Sequence, residues 1–351
     1  NYIANGSFTN TSKNCPIFKM SKFKVAFTLT IIILASVYLF LSVNRQGQNY
    51  SEVGSGEISS AKEDVEPQTI TLITTGDIGL VRDINDQIQK RNDPNYPFIK
   101  IGSYLKNADL TITNLEGPLI NNCPIALTGF IFCGQDTNAV GLASAGIDAA
   151  SVANNHTTNY GMDGLDQTVK NLAENGIRAF GTEGSISYME VKGKKIALVG
   201  FVELGNNWEG LNNATPANVE KLTSEAKTKA DIVMVAFHWG VEYVRKPTQS
   251  QVNLAHIAID NGADIVLGNH AHWIQDNEIY KNKFITYAQG NTIFDQDWSQ
   301  ETKEGVIYKF EYKDGHFVKI DEKYTIIEFN SQPRFATEAE TTIIKKKLQA
   351  S

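Results

Sequence analysis

The chain has no surplus of positive charge, no internal repeat and few cysteines. Its 32 Lys and Arg face 39 Asp and Glu, a formal net charge of −7 over 351 residues. No basic stripe interleaved with aromatics relieves that balance, which argues against nucleic acid as a partner. The lack of a repeat or a long low-complexity tract excludes a repeat array. No A-x-A pattern follows the one long apolar run, and no cysteine sits just after it, which argues against signal-peptide cleavage and lipoprotein processing.

That run, residues 25–43 (VAFTLTIIILASVYLFLSV), holds nineteen residues without a charge, enough at helical rise to cross a bilayer. Lys13, Lys19, Lys22 and Lys24 precede it and Arg45 follows, so the positive-inside bias places residues 1–24 in the cytoplasm and everything after the run outside. The expectation is a single-pass membrane anchor. Met20 opens a basic stretch (MSKFK), so residues 1–19 read as sequence with no folding role. Residues 44–68, rich in Ser, Gly, Asn, Gln and Glu, read as a flexible stalk. Cys123 and Cys133 would then lie where disulfides persist and are expected to pair, whereas Cys15 lies across the anchor.

A hydrophobic content of 42% can bury a large core. Residues 69–75, 109–114, 148–153, 231–237 and 264–267 are short apolar or β-branched runs that read as buried strands. Between them, 79–90, 98–106, 163–175 and 249–261 carry apolar residues at helical spacing. Strands alternating with helices imply parallel pairing. Segments 196–202, 278–287, 306–312 and 316–324 look like hairpin strands, with a turn at Lys313-Asp314-Gly315. The expectation is two β layers between helices over 69–330, followed by a tail, 331–351, whose basic stretch 343–348 reads as a solvated helix end.

Polar residues follow the first group of strands: Asp77, Glu116, Asn155-His156, His238, and His270-x-His272. In an open α/β sheet such strand ends face one crevice, so residues remote in sequence converge there. Each has a plain structural reading taken singly. Asp77 fits a helix N-cap, Asn155-His156 an ordered turn, Glu116 a solvated turn before Gly117-Pro118, and the histidines hydrogen-bonded core positions. Their order is what points to a site. Asn154, Glu242, Tyr243 and Asn291 are candidates for touching substrate or orienting the histidines. His256 and His316 are not expected as ligands, and the Trp residues are expected mainly to pack.

The ordered segments TGDIGL (75–80), NLEGPL (114–119), ANNHTTNYG (153–161), FHWGVEY (237–243), GADIVLGNHAHWIQ (262–275) and QGNTIFD (289–295) resemble the bacterial capsule-synthesis CapA/PgsA family, associated with poly-γ-glutamate, within the calcineurin-like metallophosphoesterases. The resemblance implies a four-layer α/β/β/α sandwich with two divalent metal ions, Mn, Fe or Zn. Asp77 and His272 would hold one ion, and Asn155, His238 and His270 the other. Glu116 would bridge them and His156 would donate a proton to the leaving group. Gly79 stands where the phosphoesterase pattern has a ligand His, Glu116 where it has Asp, and Thr157 where it has an acid. The implied role is a membrane-anchored protein of capsule synthesis or export with a hydrolase site for a phosphoester. The alternative is a non-catalytic subunit that holds an anionic polymer for a membrane synthetase.

Overall fold

The computed structural model describes residues 68–205 and 207–349. The run 25–43, the stalk and Cys15 lie outside the described residues. Among those described, no helix is long and apolar enough to cross a membrane.

Strands follow in chain order as β1 (Ile70–Ile78), β2 (Leu110–Leu115), β3 (Leu119–Ile120), β4 (Gly134–Gln135), β5 (Ala149–Ser151), β6 (Arg178–Phe180), β7 (Ser187–Val191) and β8 (Lys194–Glu203). They continue as β9 (Ile232–Trp239), β10 (Ile265–Asn269), β11 (Asn277–Tyr280), β12 (Lys283–Thr286), β13 (Asn291–Ile293), β14 (Glu304–Lys313), β15 (His316–Glu328) and β16 (Gln332–Phe335). Eight of them form one mixed sheet, ordered β16-β15-β14-β1-β2-β5-β6 with β13 also pairing with β1. A second sheet runs β11-β12-β10-β9-β8-β7, and β3-β4 form a small ribbon.

Side-chain alternation along the strands explains the layering, because neighbours on a strand point to opposite faces. In β8 and β9, Ile196, Leu198, Ile232 and Met234 join Ile70, Leu72, Leu110 and Phe310 of the first sheet in a core between the sheets. The intervening Ala197, Val199, Val233 and Val235 pack instead on Val219 and Leu222 of the helix Pro216–Lys227 and on Leu254 and Ala258 of the helix Gln249–Asp260. The other face of the first sheet, with Ile73 and Ala150, packs on Ile84, Ile88, Leu142, Leu165 and Leu172 from the helices Arg82–Arg91, Ala139–Ser144 and Gly161–Glu174. Two β layers between helices are therefore observed.

Several expectations are refined. Segment 278–287 is a hairpin, β11 with β12, that turns at Lys281 and Asn282 with φ of 48° and 61°. Strand β8 pairs antiparallel with β7 but also parallel with β9, so it belongs to the parallel core of its sheet. Segment 331–351 is not merely a tail. Strand β16 pairs with β15 from Thr325 to Glu328, and the helix Glu338–Gln349 buries Ile344 in the core between the sheets.

Candidate metal centre

The C-terminal ends of β1, β2, β9 and β10 and the loop after β5 carry the polar residues. The register of β1 with β2 shifts between Thr74 and Asp77, an irregularity of the kind that re-aims a side chain. Gly76 allows it, since a Cβ there would meet the carbonyl oxygen of Gly290 at 2.0 Å. Asp77 then stands between Asn114 of β2 and Asn291 of β13 in register. On the second sheet His238 pairs with Asn269, and the chain leaves β10 through His270 and His272. Both take left-handed φ, 91° and 54°. Such backbone costs about 1–3 kcal/mol per residue and persists only where its surroundings enforce it.

The side chains converge. Asn155 Oδ1 lies 2.8 Å from His238 Nε2, and that nitrogen lies 3.2 Å from His270 Nδ1. Asp77 accepts from Asn114 Nδ2 at 2.7 Å through one oxygen and from the backbone N–H of His270 at 3.2 Å through the other. His272 Nε2 is 3.6 Å from Glu116 Oε1, and His156 Nε2 is 3.8 Å from the same oxygen. Ligand atoms of Asp77, Glu116 and His238 lie within 4.8 Å of one another, as do those of Glu242, His270 and His272. The donors thus form one contiguous cluster in which Glu242 also takes part.

Glu116 tests whether a cation fits. Its side chain is fully buried, yet neither carboxylate oxygen has a hydrogen-bond partner among the described residues. A buried anion without donors is costly unless a positive charge meets it. Burial pushes its carboxyl well above the ordinary range, against an opposing pull from His272. Burial, helped by His270 and His272, holds His238 well below the ordinary imidazole value, and burial lowers His270 to about 3. Burial would lower His272 as well, but Glu116 and Asp77 outweigh it and raise the ring to about 9. His238 and His270 thus rest as the neutral imidazoles that a divalent ion requires, whereas the charged His272 stands in for a cation beside Glu116 and would give up its proton to an ion. The residues fit a metal.

Other expected residues take defined places. Asn291 Oδ1 meets His272 Nδ1 at 2.9 Å, while its Nδ2 donates to the Thr302 carbonyl at 2.8 Å, so Asn291 turns the His272 ring with Nε2 toward Glu116. Asn154 Oδ1 accepts from the backbone N–H of His156 and Thr157 and from the Thr157 hydroxyl, so it ties the loop that carries His156. The Tyr243 ring lies 6.2 Å from His272 and its N–H donates to the Ala271 carbonyl. Cys123 and Cys133 are joined, with Cα atoms 5.8 Å apart. His256 is bound to Glu278 away from the cluster, and Trp239 is buried against Phe237. At Gly79 a Cβ would meet the Phe294 ring at 2.8 Å, so an aromatic ring closes off the position of the missing histidine ligand.

Sequence reading missed Asn114, although it lies on β2 two residues before Glu116, which follows the strand's last residue. It also missed Phe132, whose ring stacks on His156 at 3.8 Å between centroids.

A mixed α/β double sheet with this cluster at its strand ends defines a phosphatase-like class of fold. It is similar to a solved structure described as a novel phosphatase from Mycoplasma pneumoniae, with a TM-score of 0.50 and 14% identity, covering 79% of this chain and 97% of that one. At that identity the likeness concerns the fold alone. Residues 71–296 match the family described as bacterial capsule synthesis protein PGA_cap, and the chain belongs to that family. It is similar to the capsule biosynthesis protein CapA of Bacillus anthracis, 30% identical over 277 residues, which cover 73% of this chain and 67% of that protein. A probable polyglutamine synthesis accessory protein of Mycobacterium tuberculosis is 25% identical over 255 residues, 64% of this chain and 66% of its own length.

Proposed function

We propose that the chain works outside the cell, anchored by residues 25–43, in the synthesis or export of a capsular polymer of the poly-γ-glutamate type. Its buried cluster is a divalent-metal hydrolase site for a phosphoester or related bond. The observation that carries the catalytic part is the buried, unpartnered Glu116 carboxylate ringed by imidazoles. Asp77, Glu116, Asn155, His238, His270 and His272 would hold two ions, and their mixture of oxygen and nitrogen donors suits Mn, Fe or Zn. Bound ions would supply Lewis acidity and a water of lowered pKa at neutral pH.

His156 handles the proton. Its side chain is 11% exposed, the most open of the imidazoles near Glu116, so it sits where a substrate enters. Burial lowers it to about 4, so it rests neutral. A neutral ring takes up a proton from the attacking water and returns it to the leaving oxygen, a role that contributes about 10²–10⁴-fold. The full-length chain in detergent, stripped and resupplied with Mn²⁺, should hydrolyse a chromogenic phosphodiester, and His156→Ala should lower turnover by that factor. Bound metal without turnover would sink the hydrolytic reading.

A second reading has specific support: Phe294 fills the space of a ligand, and one relative's name calls it an accessory protein. In that reading the cluster holds an anionic polymer for a membrane synthetase without cleaving it. Retention of poly-γ-glutamate with no turnover would favour it.

A further inference from the structure

His156 does not hang freely over the cluster. Its Nδ1 lies 3.0 Å from Asn159 Oδ1, and the same oxygen accepts the backbone N–H of Phe132 at 2.7 Å. A backbone N–H can only donate, so this bond fixes which end of the Asn159 amide faces inward. The atom toward His156 is therefore a carbonyl-type acceptor, and the imidazole can bond to it only with the proton on Nδ1. That leaves Nε2, the nitrogen 3.8 Å from Glu116, as the bare one.

The ring plane is held from a second direction. Phe132 stacks on His156 with an interplanar angle of 23°. The Arg82 guanidinium lies 4.6 Å from the Phe132 centroid, and Arg82 is itself bound by Asp295 and by the Gly129 carbonyl at 3.1 Å. Phe132 precedes Cys133, whose bond to Cys123 closes the loop carrying it. Ile125, Leu127, Phe130 and Ile131 of that loop are exposed, so the cross-link, more than apolar burial, keeps its base in place.

We infer that Asn159, Phe132 and the Cys123–Cys133 cross-link form a clamp that positions His156 as its Nδ1–H tautomer, so that proton exchange occurs at Nε2 toward the metal cluster. These are positioning residues. The inference rests on reading His156 as the proton-handling group, but its test uses neither metal nor turnover. The full-length chain, labelled with ¹⁵N-histidine and held in detergent with EDTA at pH 8, gives nitrogen signals for its 6 histidines. His156→Gln assigns the signal of interest by its loss.

The parent should show His156 with Nδ1 protonated and Nε2 bare; the reverse tautomer would overturn the inference. Asn159→Ala should release the ring to the Nε2–H form while the other five histidine signals stay in place, which reports an intact fold. Asn159→Asp should restore the parent pattern, because a carboxylate oxygen still accepts. An unchanged tautomer in Asn159→Ala would refute the clamp. In the double variant Cys123→Ser, Cys133→Ser the Nδ1 and Nε2 shifts of His156 should move toward each other, as fast exchange averages the two tautomers, and unmoved shifts would remove the cross-link from the clamp.

Discussion

Replacing Glu116 by Gln isolates the electrostatic argument, because the amide keeps the shape and drops the charge. Two effects oppose each other. Without a cation, Glu116 is a fully buried carboxylate with no donors. Leaving such a group without donors costs about 1–3 kcal/mol or more, and since burial outweighs the pull of the charged His272 on Glu116, in chelator Glu116→Gln should be at least as stable as the parent. With a cation in about 100-fold excess over its dissociation constant, the parent should gain about 2.7 kcal/mol by mass action. For a body of this size each kcal/mol moves the melting temperature by roughly 2–4 °C, so Mn²⁺ should raise the parent by about 5–10 °C. The variant should lose most of that rise.

The sign of the pH dependence follows from burial. A carboxyl whose folded pKa is raised stabilises at low pH, and its contribution is lost as pH climbs toward that raised value. The gap in favour of Glu116→Gln in EDTA should therefore widen from pH 5 to pH 9. Thermal unfolding by circular dichroism, with EDTA and with Mn²⁺ at several pH values, reads both effects. An equal Mn²⁺ shift in parent and variant would refute the assignment of Glu116 to a cation, and a gap that narrows with pH would refute the burial argument.

Gly268→Ala places a Cβ 1.9 Å from the Tyr287 carbonyl oxygen just before the two ligand histidines, so chemical denaturation should show a loss of about 1–3 kcal/mol and a weakened Mn²⁺ shift. Ile344→Ala removes an almost fully buried side chain from the C-terminal helix and should cost about 2–5 kcal/mol, whereas a solvated tail would lose nothing. Thr248→Ala removes one half of the capping box that starts the helix Gln249–Asp260 and should lower stability by about 1 kcal/mol without changing metal binding.

The parallel strands were legible because β1, β2, β9 and β10 open on apolar or β-branched stretches, ITLITT, LTIT, IVMVAF and IVL, each broken by Gly, Asn or His, and burial on both faces demands such stretches. The ligands were legible for the same reason: each stands where such a run stops. Strand β13 was not, since three residues in register with β1 leave no period to read. The β11–β12 hairpin was hidden because its turn uses Lys281 and Asn282 rather than glycine. Asn114 and Asn159 were missed because they bind ligands or the proton carrier rather than a cation, and asparagine at a strand end or in a turn is common for many reasons. The left-handed turns at His270 and His272 arise from long-range contacts, such as the His270 N–H to Asp77, that no local pattern announces.

Strand β16 covers β15 from Thr325 to Glu328, so the outer side of β15 from His316 to Tyr324 has no strand beside it among the described residues. A bare sheet edge invites another chain to add on and grow an aggregate. Here the rim is guarded by Lys319, Asp321, Glu322 and Lys323, with Lys319 bound to Asp321 at 2.6 Å. A second copy would have to strip water from these charges to dock. Neutralising them should make that rim sticky.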